Sequence, residues 1–221
     1  MVAVNLLARE KYNFFIFMKY TGPKTRLCRR EGINLFSAPK YQKIMTRRPG
    51  VPGMHGTKRM AKLSEYGRQL REKQKLKRTY GLSEKQFFRY VDAATRKKGI
   101  THEILIKALE SRLDNVIFRS GLALTRAQAR QFASHGIFLL NGRRIDIPSI
   151  EVKPGDMIEV RSTKKDSPIF HKIREEIPDH KPPQWLNVDI SKRSITIQDI
   201  PDTSDIEASI ESRLIIEFYS R

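Results

Sequence analysis

The stretch RLDNVIFRSGLALTRAQARQFASHGIFLLNGRRIDIPSIEVKPGDMIEV, residues 112–160, decides the fold. It holds two short helix signals followed by a hairpin with a basic tip. Thr125 stands where an N-cap is expected, and Gln128, three residues later, completes the pattern of a capping box. Gly136 occupies the place of a left-handed C-terminal cap. Arg126 and Arg130 are four apart and share one helical face, while Ala129 and Phe132 turn toward a core. Ile137-Phe138-Leu139-Leu140 reads as a strand, and Asn141-Gly142 is a strong two-residue hairpin signal. Arg143 and Arg144 follow that turn, with Ile145 and Ile147 expected on the return strand. Lys153-Pro154-Gly155-Asp156 is a second turn, and Met157 to Val160 a closing strand. Two readings of the charge stand side by side. Arg126, Arg130, Arg143 and Arg144 form one cationic surface for phosphates, or they are a solvated helix face beside a charged turn.

The charge of the whole chain favours the first reading. Its 221 residues carry 43 Lys+Arg against 24 Asp+Glu, a formal net charge of +19. The excess is one-sided: residues 1–111 hold 26 basic and 8 acidic residues, and residues 112–221 hold 17 and 16. Self-repulsion of that size opposes a compact state unless a polyanion offsets it. Nucleic acid is the natural polyanion. An anionic membrane is the competitor, but no apolar run approaches the roughly 20 residues of a spanning helix. Cys28 is the only cysteine, so no intrachain disulfide forms and a reducing compartment fits. The N-terminus lacks the charged start, long apolar segment and small-residue cleavage site of a signal peptide, which points to the cytoplasm.

The rest of the chain divides by texture. Residues 1–18 read as an N-terminal extension, expected to be disordered, with Met18 a candidate initiator. Residues 19–111 read as a basic arm followed by a helical domain. The arm, 19–62, is broken by Gly22-Pro23, Pro39, Pro49-Gly50 and Pro52-Gly53 and is expected to order only against a partner. Residues 63–81 look helical, with Ser64 as N-cap and Gly81 as stop. A second helix opens with the Ser83/Gln86 capping box and ends by Gly99, with Phe87, Phe88, Val91 and Ala94 facing inward. A third starts at Thr101 and breaks near Ser111. Residues 112–172 form the small domain. Residues 173–221, with 6 basic and 10 acidic residues, open on a proline-rich linker and are expected to complete the helical domain. Ser167-Pro168 is read as part of that linker. The segments around Trp185–Asp189 and Ser194–Gln198 look extended, and the tail is either a strand or a helix. The fold class is α+β.

In order along the chain stand TGPKTRLCRREG at 21–32, a Pro-Gly-x-His-Gly turn at 52–56, LSEYGRQLREKQKLKRTYG at 63–81, RLDNVIFR, TRAQARQ, SHG, NGRR, VKPGD and a terminal EFYSR. The ordered set resembles the bacterial-type family of small-subunit ribosomal protein four, from about Lys19 to Arg221. The resemblance implies a helical domain around a small RNA-binding domain of two or three helices and a short antiparallel sheet. It implies binding to the 5′ domain of 16S-type rRNA, nucleation of the subunit body and a contribution to translational accuracy. Small-subunit ribosomal protein five and mRNA near its entry path are the further partners implied, with no membrane. Arg112, Asn115, Arg119, Arg126, Arg130, His135, Asn141, Arg143 and Arg144 match the RNA-binding domain. Lys24, Arg26, Arg29, Arg30, Arg47, Arg48, His55, Arg59, Lys62 and the helix bearing Arg68, Arg71, Lys73, Lys75, Lys77 and Arg78 match the rRNA-contacting N-terminal region. Some members hold zinc with four cysteines. Here Thr25 and Cys28 occupy the first pair and no cysteine follows, so the resemblance is to a zinc-free branch with no cofactor, in which turns or RNA must order residues 24–56.

Single residues keep blander readings. His55 is a phosphate contact or a turn filler, and His135 a helix-end packing residue or an RNA contact. Trp185 reads as core rather than a stacking platform. The 68–78 charge run would ordinarily be a solvated face, but its single sign favours RNA. An RNA-modifying enzyme with the same small domain needs a phosphate loop, a metal cluster or a triad, and none is legible. A free RNA-binding regulator remains the other alternative.

Overall fold

The computed structural model describes residues 20, 22–54, 56, 62–178, 180–202 and 210–220. The expected extension at 1–18, His55 and Arg59 lie outside them. Ten helices and five strands are described: α1 Lys24–Glu31, α2 Pro39–Arg47, α3 Glu65–Thr79, α4 Glu84–Arg96, α5 Thr101–Glu110, α6 Leu113–Arg119, α7 Arg126–Ser134, β1 Phe138–Leu140, β2 Arg143–Arg144, β3 Met157–Val160, α8 Ser162–Lys165, α9 Pro168–Glu176, β4 Leu186–Asp189, β5 Ser194–Ile197 and α10 Ser212–Tyr219. The class is α+β.

Side-chain caps explain three of the helix starts. Ser64 Oγ accepts from the Gly67 N–H, and Ser83 and Gln86 form the full capping box. Thr125 Oγ1 accepts from the Gln128 N–H, but the Gln128 side chain reaches past Thr125 to the Leu124 N–H at 2.7 Å. Ser111 breaks the third helix because the Arg112 backbone turns extended and bridges to Glu151, sending α6 off in a new direction.

Three apolar cores form among the described residues. The helical core joins Leu76, Tyr80, Phe87, Val91, Ala94, Leu105 and Leu109 to Ile215 of α10. Phe88, expected inward, stands half exposed on the outer side of α4, because the i, i+4, i+7 stripe of that helix runs through Phe87 instead. The sheet core packs Val116, Ile117, Ala129 and Phe132 over Phe138, Ile158, Val160, Ile195 and Ile197, with Trp185 at its edge. The sheet is antiparallel throughout, in the order β2-β1-β3-β5-β4.

The third core was not legible. The arm folds on itself: α1 and α2 close over Leu27, Cys28 and Leu35, flanked by Ile33, Phe36, Tyr41 and Met45. Pro39, read as a breaker, opens α2 at its first turn, where its missing N–H costs nothing. Pro168 does the same for α9, so Ser167-Pro168 starts a helix instead of a linker. Cys28 is fully buried, and burial raises its thiol pKa. The last 49 residues serve both large cores: β4 and β5 extend the sheet, while α10 packs along α3 and α5. The return strand after the hairpin is shorter than expected, ending at Arg144, with Ile147 exposed.

Candidate nucleic-acid interface

The hairpin tip is built by backbone geometry. Asn141 (φ 49°) and Gly142 (φ 78°) both take left-handed conformations, the type I′ turn that matches strand twist. Asn141 is held there by its side chain, which donates to Asp156 Oδ1 at 2.8 Å and accepts from the Met157 N–H at 2.8 Å. The register pairs Leu140 with Arg143 and Leu139 with Arg144, so both arginines stand exposed on the edge strand β2. The Arg144 guanidinium lies flat over Gly136, where a β-carbon would sit 2.6 Å from its Nε. Gly136 therefore serves twice, as the left-handed cap of α7 (φ 62°) and as the floor for that arginine.

Arg126 and Arg130 lie at the start and middle of α7; a helix rises about 1.5 Å per residue, so along the axis they stand roughly 15 Å and 9 Å from Gly136. Unlike Arg143 and Arg144, both are half-buried and turned to partners within the fold. Arg126 Nε donates to Asn115 Oδ1 at 2.9 Å, and its guanidinium stacks 4.5 Å from the Phe118 ring and 5.1 Å from the Tyr80 ring. Arg130 Nη1 donates to the Gly81 carbonyl at 3.1 Å. The start of α7 and its outer face line an open groove of about 740 Å³, formed by Leu124, Thr125, Ala127, Gln128, Arg130, Gln131 and Ser134. His135 caps the far end of α7 and is exposed.

Other site residues from the small domain are internal. Arg112 is 1% exposed, holding Asp114 through Nε (3.0 Å) and Nη2 (2.7 Å) and the Tyr90 hydroxyl through Nη1 (2.6 Å). Burial works against the Arg112 charge, but the Asp114 hydrogen bonds outweigh it and raise the pKa further. Asn115 is buried and binds Glu110, while Arg119 pairs with Glu110 at 2.8 Å.

Helix α3 shows the same pattern. Each of its six basic residues faces a carboxylate: Arg68 with Glu65, Arg71 and Arg78 with Glu31, Lys75 with Glu72, and both Lys73 and Lys77 with Glu84. Lys73, read as RNA-facing, is buried. Its ammonium donates to Glu84 Oε1 at 2.7 Å and lies 4.5 Å from the Phe218 ring centroid. Burial lowers the Lys73 pKa. It would raise that of Glu84, but hydrogen bonds from Lys73, Lys77 and Tyr219 hold that carboxyl at about 2. The sequence pattern hid the Glu31 pairs, because Glu31 lies forty or more residues from its arginines, whereas Arg68–Glu65 and Lys75–Glu72 are i, i+3 neighbours within the helix.

The arm is the opposite case. Arg26, Arg30, Arg47 and Arg48 are exposed on α1, α2 and the residue after it, with Lys40 and Lys43 beside them. None of these six makes an ion pair among the described residues. Arg29 is half-buried and donates from Nε to the carbonyls of Arg48 (3.1 Å) and Gly50 (3.0 Å), tying the exit of α2 back to α1. Lys24 lies 5.1 Å from the Phe36 ring centroid, and Lys62 is exposed.

Sequence comparison fits this division of the chain. The Ribosomal protein S4/S9 N-terminal domain matches residues 19–110, and the S4 domain matches residues 111–158. The small ribosomal subunit protein uS4 of Desulfitobacterium hafniense (strain Y51) is 48% identical over 209 residues, covering 92% of this chain and 99% of that protein. The chain belongs to the uS4 family. The uS4 proteins of Natranaerobius thermophilus and Thermus thermophilus are 44% and 43% identical over the same shares of each chain. In this uS4-family chain the family boundary at residues 110–111 falls at the break between α5 and α6, where Glu110 and Arg112 are both buried.

Proposed function

We propose that the chain is a structural constituent of the small ribosomal subunit that binds the 5′ domain of 16S-type rRNA and helps nucleate the subunit body. It is a ribosomal structural protein rather than an enzyme. As a uS4-family member it is a protein of the cytoplasmic bacterial ribosome that binds small-subunit rRNA and neighbouring ribosomal proteins. No helix among the described residues is long and apolar enough to cross a membrane.

One observation carries the binding reading: Arg26, Arg30, Lys40, Lys43, Arg47 and Arg48, exposed and making no ion pair among the described residues, are mounted on the same folded chain as an exposed arginine hairpin and an open α7 face of mixed polar and apolar lining. Folded RNA offers phosphates and 2′-hydroxyls rather than base edges, and guanidinium forks and amides suit those groups. The phosphate contacts are assigned to Arg26, Arg30, Arg47, Arg48, Arg143 and Arg144. Thr125, Gln131 and Ser134 suit 2′-hydroxyls. Arg112, Asn115, Lys73 and the paired cations of α3 hold the frame. Ribosomal protein five and mRNA near the entry path are the finer partners of this reading, which extends to translational accuracy. Residues 19–111, 112–172 and 173–221 remain its working domains, with the last divided between the two large cores.

Sedimentation tests the assignment. The tagged chain is expected to comigrate with the small subunit through a high-salt wash. Release into the free fraction would refute a structural role and favour a free regulator of the same RNA-binding class.

A further inference from the structure

The helical core and the sheet core meet at a buried polar cluster that phosphate binding does not call for. Glu110, the last residue of α5, has no exposure. Its carboxylate takes four hydrogen bonds: from the Tyr80 hydroxyl, from Asn115 Nδ2 at 2.7 Å, and from Arg119 Nε and Nη2 at 3.0 and 2.8 Å. Asn115 relays the contact, because the amide that donates to Glu110 accepts from Arg126 Nε on its other side. Arg126 in turn stacks on Tyr80, and Arg130, one turn along α7, holds the carbonyl of Gly81. Two arginines of α7 therefore grip the Tyr80-Gly81 corner of the helical core, with Glu110 as the anion behind them.

The geometry points to Glu110 as a positioning residue for rRNA binding: through Asn115 and Arg126 it fixes the angle between the α7 groove and the helical core, so that arm and hairpin meet a folded RNA as one rigid surface. This rests on the rRNA reading above and adds the residue that makes two contact regions act together. Two linked sites gain affinity only when the link lets both engage at once, and a loose link lowers the effective concentration of the second. A carboxylate is needed because it accepts from every neighbour. A glutamine at 110 keeps one acceptor oxygen and puts an NH2 in place of the other, so it must face at least one of the donors of Tyr80, Asn115 and Arg119 with a donor of its own, which loosens the cluster that holds Asn115 against Arg126.

The test uses the full chain with exposed positions Lys97→Cys on the helical side and Ser149→Cys beside the sheet core, labelled with spin probes. Cys28 is fully buried, which keeps it from the label. The native background is expected to give one narrow distance distribution. Glu110→Gln should broaden it at an unchanged far-UV circular dichroism spectrum and weaken binding to 5′-domain rRNA by about tenfold, and added rRNA should narrow it again. Tyr80→Phe, which removes a single donor, should move both readouts the same way by less, and it decides the matter if Glu110→Gln does not fold. An unchanged distribution or unchanged affinity in the folded variant overturns the proposal. Failure of the native chain itself to bind overturns the rRNA reading beneath it.

Discussion

Helix α3 and the α1–α2 arm carry charge of the same sign at similar density and use it in opposite ways. The basic half has only eight acidic residues, and four of them, Glu31, Glu65, Glu72 and Glu84, face the cations of α3. The arm keeps Arg26, Arg30, Arg47 and Arg48 exposed. A run of lysines and arginines thus tells the sign of a surface but not its availability. Counter-ions decide that: Glu65 and Glu72 from within α3, and Glu31 and Glu84 brought to it by tertiary packing.

The sharpest way to break this contrast is to remove a counter-ion. Glu84→Ala would leave Lys73 buried without its carboxylate and the Tyr219 hydroxyl without its acceptor. Losing one partner of a buried pair costs about 3–5 kcal/mol, so denaturant titration should show a loss of that order. A value under about 1 kcal/mol, the range of an exposed pair, would mean that α3 is solvated after all. Acid is a milder probe of the same pair. The folded-state pKa of Glu84 lies below its unfolded value, so its contribution is complete above about pH 4.5 and is lost as pH falls toward 2. The contribution is at most about 3 kcal/mol. Thermal melts of the native chain should lose stability over that window more steeply than those of Glu84→Gln.

Arg126 sharpens the comparison within the small domain. Its cation–π stacking and its bond to Asn115 predict that Arg126→Ala destabilises the fold by about 1–3 kcal/mol. Arg143→Ala on the exposed edge strand should change stability by less than about 0.5 kcal/mol. Calorimetry on the two variants separates a clamp arginine from a contact arginine, and equal melting temperatures would erase the distinction.

The local chemistry was legible in sequence wherever neighbours supply it. The Ser64 and Thr125 caps, the Ser83/Gln86 box, the Asn141-Gly142 turn and the stop at Gly81 all formed as read, because each depends on residues within four positions. The α10 tail stayed ambiguous in sequence because packing against α3 and α5, not periodicity, makes it helical. The arm was misread because Pro39 was taken as a breaker when it starts a helix, and because a core as small as Leu27, Cys28 and Leu35 leaves little periodic trace. The candidate site was half legible. Arg143 and Arg144 stand where the turn places them, whereas the burial of Arg112, Asn115 and Lys73 depends on Asp114, Glu110 and Glu84, whose proximity no charge count reveals.

The most direct test is the salt dependence of binding to 5′-domain rRNA by the native chain, by Arg143→Ala/Arg144→Ala and by Lys75→Ala/Lys77→Ala, each confirmed folded. Each lost phosphate contact lowers the slope of log K against log salt by roughly 1. The slope should fall by about 2 for the hairpin pair and stay near native for the α3 pair. A native slope for the hairpin pair together with a reduced one for the α3 pair would contradict the assignment of free and neutralised charge.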